Sequence, residues 1–92
     1  MEEKVIHEKE NERFVIYVEG NEVYVEYTMR NNTIDLNHTY THPALRGKGL
    51  AAHVVRAALE FAKENNLKVI PTCSYTQAFI AKNEEYKKLV AN

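Results

Sequence analysis

The sequence predicts a small α+β domain whose mixed, mostly antiparallel sheet contains one parallel strand–helix–strand crossover. Two observations predict this fold class. Between residues 13 and 41, apolar and polar side chains alternate with the period of two that is typical of β-strands. From Leu50 onward, apolar residues recur with the period of an α-helix, and a short apolar segment at Leu67–Pro71 follows. The 92 residues leave room for one domain, 1–92.

The first half of the chain is expected to form an antiparallel meander of four strands. These are a weak edge strand at Val5–Lys9 and three longer strands at Arg13–Val18, Val23–Arg30 and Thr33–Thr41. Turn-forming residues at Glu19–Glu22 and Asn31–Asn32 separate the longer strands. Because short turns of this kind join neighbouring strands, we expect the strands to pair antiparallel in chain order.

The second half is expected to add a helix, a parallel strand and two short helical segments. The apolar face of the helix consists of Leu50, Val54, Ala57, Ala58 and Phe61, and the helix ends at Asn65–Asn66. A strand–helix–strand crossover is right-handed and places Leu67–Pro71 parallel to Thr33–Thr41. A short helix at Tyr75–Ala81 and a terminal helix or turn at Glu84–Val90 follow.

The composition is typical of a soluble globular protein, with 45% hydrophobic and 27% charged residues. A net charge of -1 and a pI near 6.4 argue against a nucleic-acid partner, because nucleic-acid surfaces need an excess of positive charge. No apolar segment approaches the length of a membrane span, and no signal-peptide core follows the charged N-terminus. We therefore expect a cytoplasmic protein, without a nucleic-acid or membrane partner, that is a monomer or a weak homodimer.

The cysteine and histidine content argues against two kinds of structural site. The single cysteine, Cys73, excludes an internal disulfide and is consistent with a reducing compartment. One cysteine and four scattered histidines are too few and too dispersed for a structural zinc site, so no metal is expected.

The strongest functional signal is the segment Arg46-Gly47-Lys48-Gly49-Leu50-Ala51, which joins the meander to the helix. Glycines let the backbone approach a bulky ligand closely and leave amide N–H groups free. The start of a helix adds unpaired N–H groups and a partial positive charge, and Arg46 and Lys48 add full charges. This pattern favours an anion site, most naturally for a pyrophosphate. A glycine-containing turn and helix cap that binds no ligand is the alternative.

The same segment resembles the acyl-CoA pyrophosphate loop R-x-x-G-x-A of the GNAT (N-acetyltransferase) superfamily. Nearly the whole chain is similar to the small single-domain members of that superfamily. The similarity runs through Arg13-Phe14, Gly20, Tyr27, His38-Thr39, Leu45–Gly49, Lys68-Val69, Pro71-x-Cys73 and Glu85-Tyr86. It implies a truncated GNAT fold whose two parallel strands splay apart to admit the pantetheine arm of acetyl-CoA. The implied activity is transfer of an acetyl group from acetyl-CoA to an unidentified small-molecule or protein amine.

The resemblance also implies which residues hold the cofactor. They lie at the end of the last meander strand, in the glycine-containing loop and around Cys73. The cofactor-binding residues expected on this basis are Thr39, Tyr40, Thr41, Arg46, Gly47, Lys48, Gly49, Leu50, Ala51, Pro71, Thr72, Ser74, Tyr75 and Phe79. Backbone groups of Asn37–Thr41 and Ile70–Cys73 are expected to pair with the pantetheine amides, and Tyr75 and Phe79 are expected to line the end of the pantetheine slot.

Cys73 and His38 are the candidate catalytic residues. Cys73 follows a strand and precedes a helix, so the helix N-terminus would favour its thiolate, which could accept an acetyl group and pass it on. A small buried side chain at a strand end is the alternative for Cys73. His38 could deprotonate an amine or Cys73, or hydrogen-bond within the sheet. His7 and His53 are expected to face solvent.

Two other functions stay open at this point. A non-catalytic acyl-CoA-binding module would bind the cofactor without turnover, and a small partner-binding protein would present its sheet edge to another chain. The chain lacks the helices that wall the acceptor site in larger GNAT enzymes, so the resemblance leaves the acceptor open. Affinity for acetyl-CoA separates the partner-binding protein from the other two functions, and acetyl turnover separates the enzyme from the binding module.

Overall fold

Alternating side chains and turn-forming residues fold the first half of the chain into an antiparallel meander. The computed structural model describes residues 4–91. The meander strands are β1 (Ile6–Glu8), β2 (Arg13–Val18), β3 (Asn21–Arg30) and β4 (Thr33–Thr41), each paired antiparallel with the next. Asn31, in the turn between β3 and β4, adopts a left-handed backbone conformation (φ 55°) that asparagine tolerates better than most residues. The predicted meander is confirmed.

The second half adds the predicted crossover. Helix α1 (Leu50–Glu64) leads into β5 (Lys68–Ile70), which joins the sheet parallel to β4 and completes the strand order β1-β2-β3-β4-β5. Helix α2 (Ser74–Lys82) follows. Short 3-10 helices lie at Lys9–Asn11, Pro43–Leu45 and Glu84–Leu89. The fold class is confirmed, with a β5 that is shorter than the predicted Leu67–Pro71.

The core lies between the helices and one face of the sheet. Six side chains of α1 are buried there: Leu50, Val54, Val55, Ala58, Leu59 and Ala62. Phe79 and Ile80 of α2 and Tyr86 of the last 3-10 helix extend this cluster. We call the opposite side of the sheet the open face, and Tyr17 and Ile70 are 41% and 40% exposed on it. Neither helix within residues 4–91 has both the length and the apolar content needed to cross a membrane.

β4 and β5 pair over three residues and then separate. Asp35 and Ile70 form the last pair, and just beyond it the Cys73 N–H donates to the Leu36 carbonyl (N···O 2.9 Å). From residue 37 to residue 41, β4 pairs only with β3 within the described part of the chain. The other edge of this segment therefore offers backbone hydrogen-bonding groups to a cleft, as the resemblance implied.

A β-bulge at Asn37 sets which side chains of β4 reach the cleft. Tyr27 pairs with Leu36 and Glu26 pairs with His38, so Asn37 has no residue opposite it. Such an extra residue shifts the alternation of side chains by one position. Asn37 and His38 therefore both lie on the open face, whereas the next residue, Thr39, lies on the helix face opposite the buried Val25.

The expectation that His7 faces solvent is wrong. His7 pairs with Phe14 on the helix face, and its ring stacks on the Phe14 ring with centroids 4.1 Å apart. The edge of the Phe61 ring covers it from α1, at 4.8 Å. His7 Nε2 and the Tyr27 hydroxyl share a hydrogen bond of 2.6 Å. The error arose because the register of a three-residue edge strand cannot be inferred from its own sequence. His53, in contrast, is exposed as expected.

Folding stability is expected to fall as the pH drops below 6.5, because burial and the nearby Lys9 charge lower the pKa of His7 from that value. The unfolded chain then binds a proton that the folded chain resists, so the loss begins near 6.5 and continues down to the folded pKa. Urea unfolding at pH 7.5 and pH 5.5 measures the difference. His7→Gln should reduce it and His53→Gln should leave it unchanged. If the free energy of unfolding of His7→Gln falls between pH 7.5 and pH 5.5 as much as that of the wild type, this account is contradicted.

Candidate functional site

A pocket of about 300 Å³ lies where β4 ends and α1 begins. Its walls come from the end of β4, the loop, the first turn of α1 and the first turn of α2. The lining residues are Thr41, Leu45, Arg46, Gly47, Gly49, Leu50, Ala51 and Tyr75. All of these except Leu45 are among the residues expected to bind the cofactor.

The glycines of the loop keep the floor of this pocket free of side chains. Gly47 and Gly49 have φ angles of 81° and 73°, in the left-handed region that other residues rarely adopt. Apart from Gly49 itself and its two chain neighbours, no described residue has an atom within 4 Å of the point where a Cβ of Gly49 would stand. Gly49 is also the N-cap of α1, and no side chain caps the helix there. The first N–H groups of α1 are therefore available to a ligand.

The electrostatics of the loop favour an anion. Arg46 and Lys48 are exposed, and the first turn of α1 contains no acidic residue to neutralise them. Arg46 Nε donates to the carbonyl oxygen of Thr41 (3.4 Å), which holds the arginine side chain beside the end of β4. The partial positive charge of the helix N-terminus adds to these two charges. A pyrophosphate fits this arrangement.

Cys73 lies at the other end of the cleft, as the N-cap of α2. Its sulfur and the Thr39 hydroxyl are 3.3 Å apart and share a hydrogen bond. Burial alone would raise the pKa of the Cys73 thiol. The hydrogen bond with Thr39 and the nearby N–H groups of Thr76 and Tyr75 outweigh burial, so the pKa lies below its ordinary value of 9.0. The α2 N–H groups act on the sulfur without forming a short capping hydrogen bond.

Thr76 is the residue beside Cys73 that sequence reasoning missed. Its side chain is fully buried, and its hydroxyl has no well-formed hydrogen bond among residues 4–91. The hydroxyl lies close enough to the Cys73 sulfur to contribute to the lowered pKa. A buried hydroxyl without a partner is uncommon, and here it lies beside the Cys73 thiol. The only sequence signal was a polar residue on the buried side of a short helix.

The structure does not bring His38 to Cys73. His38 is exposed on the open face, where its ring centroid lies 6.3 Å from that of Tyr24. Tyr40 lies on the same face, with its ring centroid 5.4 Å from that of Tyr24. The Cys73 sulfur contacts Thr39, whose side chain lies on the opposite side of β4. Of the two roles considered for His38, this placement disfavours deprotonation of Cys73 and leaves action on an amine at the open face.

The remaining candidates differ in how buried they are and in the face of the sheet on which they lie. Thr72 donates to Asp35 Oδ1 (2.6 Å) on the open face. Phe79 is buried in the core, where its ring centroid lies 6.2 Å from that of Tyr86 and 5.1 Å from the Arg56 guanidinium. The cofactor-binding candidates that do not line the loop pocket are Thr39, Tyr40, Lys48, Pro71, Thr72, Ser74 and Phe79. Within the described residues, no three metal-ligating side chains come together.

Sequence comparisons relate this chain to known proteins. A family model described as GCN5-related N-acetyl-transferase matches residues 13–89. Protein NATD1 of Danio rerio is 36% identical over 84 residues, covering 87% of this chain and 76% of that protein. Protein NATD1 of Homo sapiens is 32% identical over 83 residues, covering 87% of this chain and 74% of that protein.

A solved structure shows the same architecture. The solution structure of a GCN5-like protein from Staphylococcus aureus is similar to this chain with a TM-score of 0.75 and 28% sequence identity. The similarity covers 97% of this chain and 88% of the Staphylococcus aureus chain. The family match over residues 13–89 and this structural similarity identify the family. The chain belongs to the GCN5-related N-acetyltransferase family.

Proposed function

We propose that this protein binds acetyl-CoA and transfers its acetyl group to an amine. One observation carries the proposal: the cleft joins an uncapped, positively charged helix start at Gly49 to the Cys73 thiol, whose pKa is lowered by its hydrogen-bonding partners. Tyr75 belongs to both ends, since it lines the loop pocket and lies two residues beyond Cys73. A long ligand with an anionic group at one end and a reactive acyl group at the other fits such a cleft.

The residues present fit acetyl-CoA along its length. The α1 N–H groups, Arg46 and Lys48 would hold the pyrophosphate. The unpaired edge of β4 from residue 37 to residue 41 would hydrogen-bond the amides of pantetheine as a neighbouring strand does. The open space above Gly49 leaves room for the phosphates to approach the backbone. When bound, acetyl-CoA supplies an activated thioester.

Cys73 would act as the nucleophile. Its thiolate attacks the thioester carbonyl, the carbon forms a bond to the Cys73 sulfur, and the bond to the CoA sulfur breaks. The departing sulfur takes a proton from solvent. An amine then attacks the acetylated Cys73, loses a proton and leaves the thiolate restored. Thr39 is a positioning residue in this scheme, because its hydroxyl holds the sulfur and lowers its pKa.

Thermal unfolding tests the binding part of the proposal. At a concentration about 100 times its Kd, a ligand specific for the folded state stabilises it by about 2.7 kcal/mol. For a domain of this size we expect acetyl-CoA to raise the Tm by roughly 10 °C or more. Pantetheine, which lacks the pyrophosphate, should give little shift. A Tm unchanged by acetyl-CoA, together with no heat of binding in calorimetry, would overturn the proposal.

A further inference from the structure

The open face of the sheet holds a second pocket, of about 280 Å³. Its lining residues come from three strands and the turn between β3 and β4. They are Thr28, Arg30, Asn31, Thr33, Asp35 and Ile70. Strand register places these side chains together, since Arg30 pairs with Thr33, Thr28 pairs with Asp35, and Asp35 pairs with Ile70. The pocket lies on the side of the sheet opposite α1, outside the residues that line the cofactor cleft.

The two charged groups of this pocket have opposite signs and lie at different ends. Asp35 stands at the end nearest Cys73, and Arg30 stands beside the β3–β4 turn. Lys68 pairs with Thr33 and adds a second positive charge at the Arg30 end. Among the ion pairs of residues 4–91, neither Arg30 nor Asp35 has a partner. The pocket is therefore dipolar, with charges that the protein itself does not neutralise.

Hydrogen bonds fix the Asp35 end of the pocket. The Thr72 hydroxyl donates to Asp35 Oδ1 (2.6 Å), which orients the carboxylate. The Asn37 amide donates to the Thr28 hydroxyl (3.0 Å) and, more weakly, to the Asp35 carbonyl (3.4 Å). One carboxylate oxygen, Oδ1, is thus held by the protein. The other oxygen is left to a ligand.

The Asp35 end also adjoins the place where the acetyl group is expected. Asp35 and Ile70 form the last pair before β4 and β5 separate. Thr72, which holds Asp35, directly precedes Cys73, and the Cys73 N–H donates to Leu36 (N···O 2.9 Å). A group bound to Asp35 therefore lies on the open face beside the apex of the cleft. The gap that begins where β4 and β5 separate would let its nitrogen reach an acetyl group on the Cys73 sulfur, which contacts Thr39 on the helix face.

We infer that this pocket binds the acetyl acceptor, and that the acceptor is a small primary amine that also bears a carboxylate. This inference rests on the proposed acetyl transfer. The ammonium group pairs with Asp35, the aliphatic part packs on Ile70, and the carboxylate pairs with Arg30 and Lys68. A volume near 280 Å³ suits a molecule of a few carbon atoms, not a folded protein segment.

Strand geometry separates the backbone positions of the two charged residues. Arg30 pairs with Thr33, which lies two residues before Asp35, so the two side chains start about 7 Å apart along the strands. An α-amino acid holds its charges much closer together than this. An ω-amino acid with a short chain, such as 4-aminobutyrate, spans the separation.

The acceptor reacts after it loses a proton. Its ammonium releases one proton to solvent, and the neutral nitrogen then forms a bond to the acetyl carbon as the carbon–sulfur bond breaks. The second proton leaves the nitrogen and the thiolate is released. Asp35 and Arg30 position the amine and determine specificity; they take no part in bond making.

Binding without acetyl-CoA tests the pocket independently of turnover. In ¹⁵N-labelled protein, 4-aminobutyrate should shift amide resonances of residues 28–35 and of Ile70. Butylamine, butyrate and glycine, each lacking one group or the required length, should shift them at least tenfold more weakly at equal concentration. Equal shifts with butylamine would overturn the requirement for a carboxylate, and an absence of shifts with all four probes would overturn the pocket.

Variants test the two charged residues. Asp35→Asn keeps Oδ1 for Thr72, and Arg30→Gln changes an exposed side chain, so both should fold. Each is expected to weaken the 4-aminobutyrate shifts and raise its KM at least tenfold, while the Tm increase with acetyl-CoA stays unchanged. Lys63→Gln, at the far end of α1, is the charge-matched control and should behave as wild type. An unchanged KM in both variants would refute this assignment. If acetyl-CoA fails to raise the Tm of the wild-type protein, the proposed function is refuted instead.

Discussion

Replacing Gly49 with valine is expected to abolish acetyl-CoA binding. Gly49 is the N-cap of α1 and lies where the pyrophosphate would contact the backbone. A valine side chain would occupy the space that is empty above Gly49, and its branched Cβ would keep phosphate oxygens away from the α1 N–H groups. We expect the Tm increase with acetyl-CoA to disappear and the heat of binding to vanish in calorimetry.

Backbone strain needs its own control, because Gly49 has φ 73°. A non-glycine residue in this conformation costs about 1–2 kcal/mol. Gly20 has a similar angle, φ 82°, also has open space around it, and lies in the β2–β3 turn. Gly20→Val should therefore lose a similar amount of stability but keep the full response to acetyl-CoA. A normal response in Gly49→Val would mean that the pyrophosphate binds elsewhere.

Cys73 is expected to react with iodoacetamide at a pH where an ordinary thiol is nearly inert, because its pKa lies below 9.0. Thr39→Val removes the hydrogen-bonded hydroxyl, so the pKa should rise and labelling at pH 7 should slow. A hydrogen bond worth about 1 kcal/mol corresponds to roughly a fivefold change in the thiolate population. Thr39→Ser keeps the hydroxyl and should restore the rate.

Bound CoA should also protect Cys73 from the reagent, since the pantetheine thiol is expected to end beside it. The measurement is the labelling rate between pH 5 and pH 9, with and without CoA. A pH profile typical of a free thiol, unaffected by either CoA or Thr39→Val, would make Cys73 a packing residue and not a nucleophile.

The fold could be predicted from the sequence because each element has a strong local signal. The alternation in β2 and β3 and the apolar face of α1 each marked a buried side directly. The bulge at Asn37 left no such signal, since the polar residues that follow Leu36 mark neither face of β4. The partial burial of His7 was missed for a related reason: its neighbours Phe14 and Phe61 come from two other elements.

The candidate site was predictable where it is local in sequence. The loop from Arg46 to Ala51 and its attachment to α1 form one continuous motif, and the structure places most of it around one pocket. The relation between His38 and Cys73 depends on the bulge, so it could not be inferred. The pocket on the open face draws on two separated segments, 28–35 and Ile70, and only strand register brings them together.

The most direct test of this account is the mass of the protein after incubation with acetyl-CoA. We predict that wild type gains one acetyl group, that peptide mapping locates it on Cys73, and that hydroxylamine removes it as it does other thioesters. Cys73→Ala should still show the Tm increase with acetyl-CoA but gain no such group. Acetyl transfer to an amine that proceeds at full rate in Cys73→Ala would contradict the central claim, because the amine would then attack the thioester of acetyl-CoA directly.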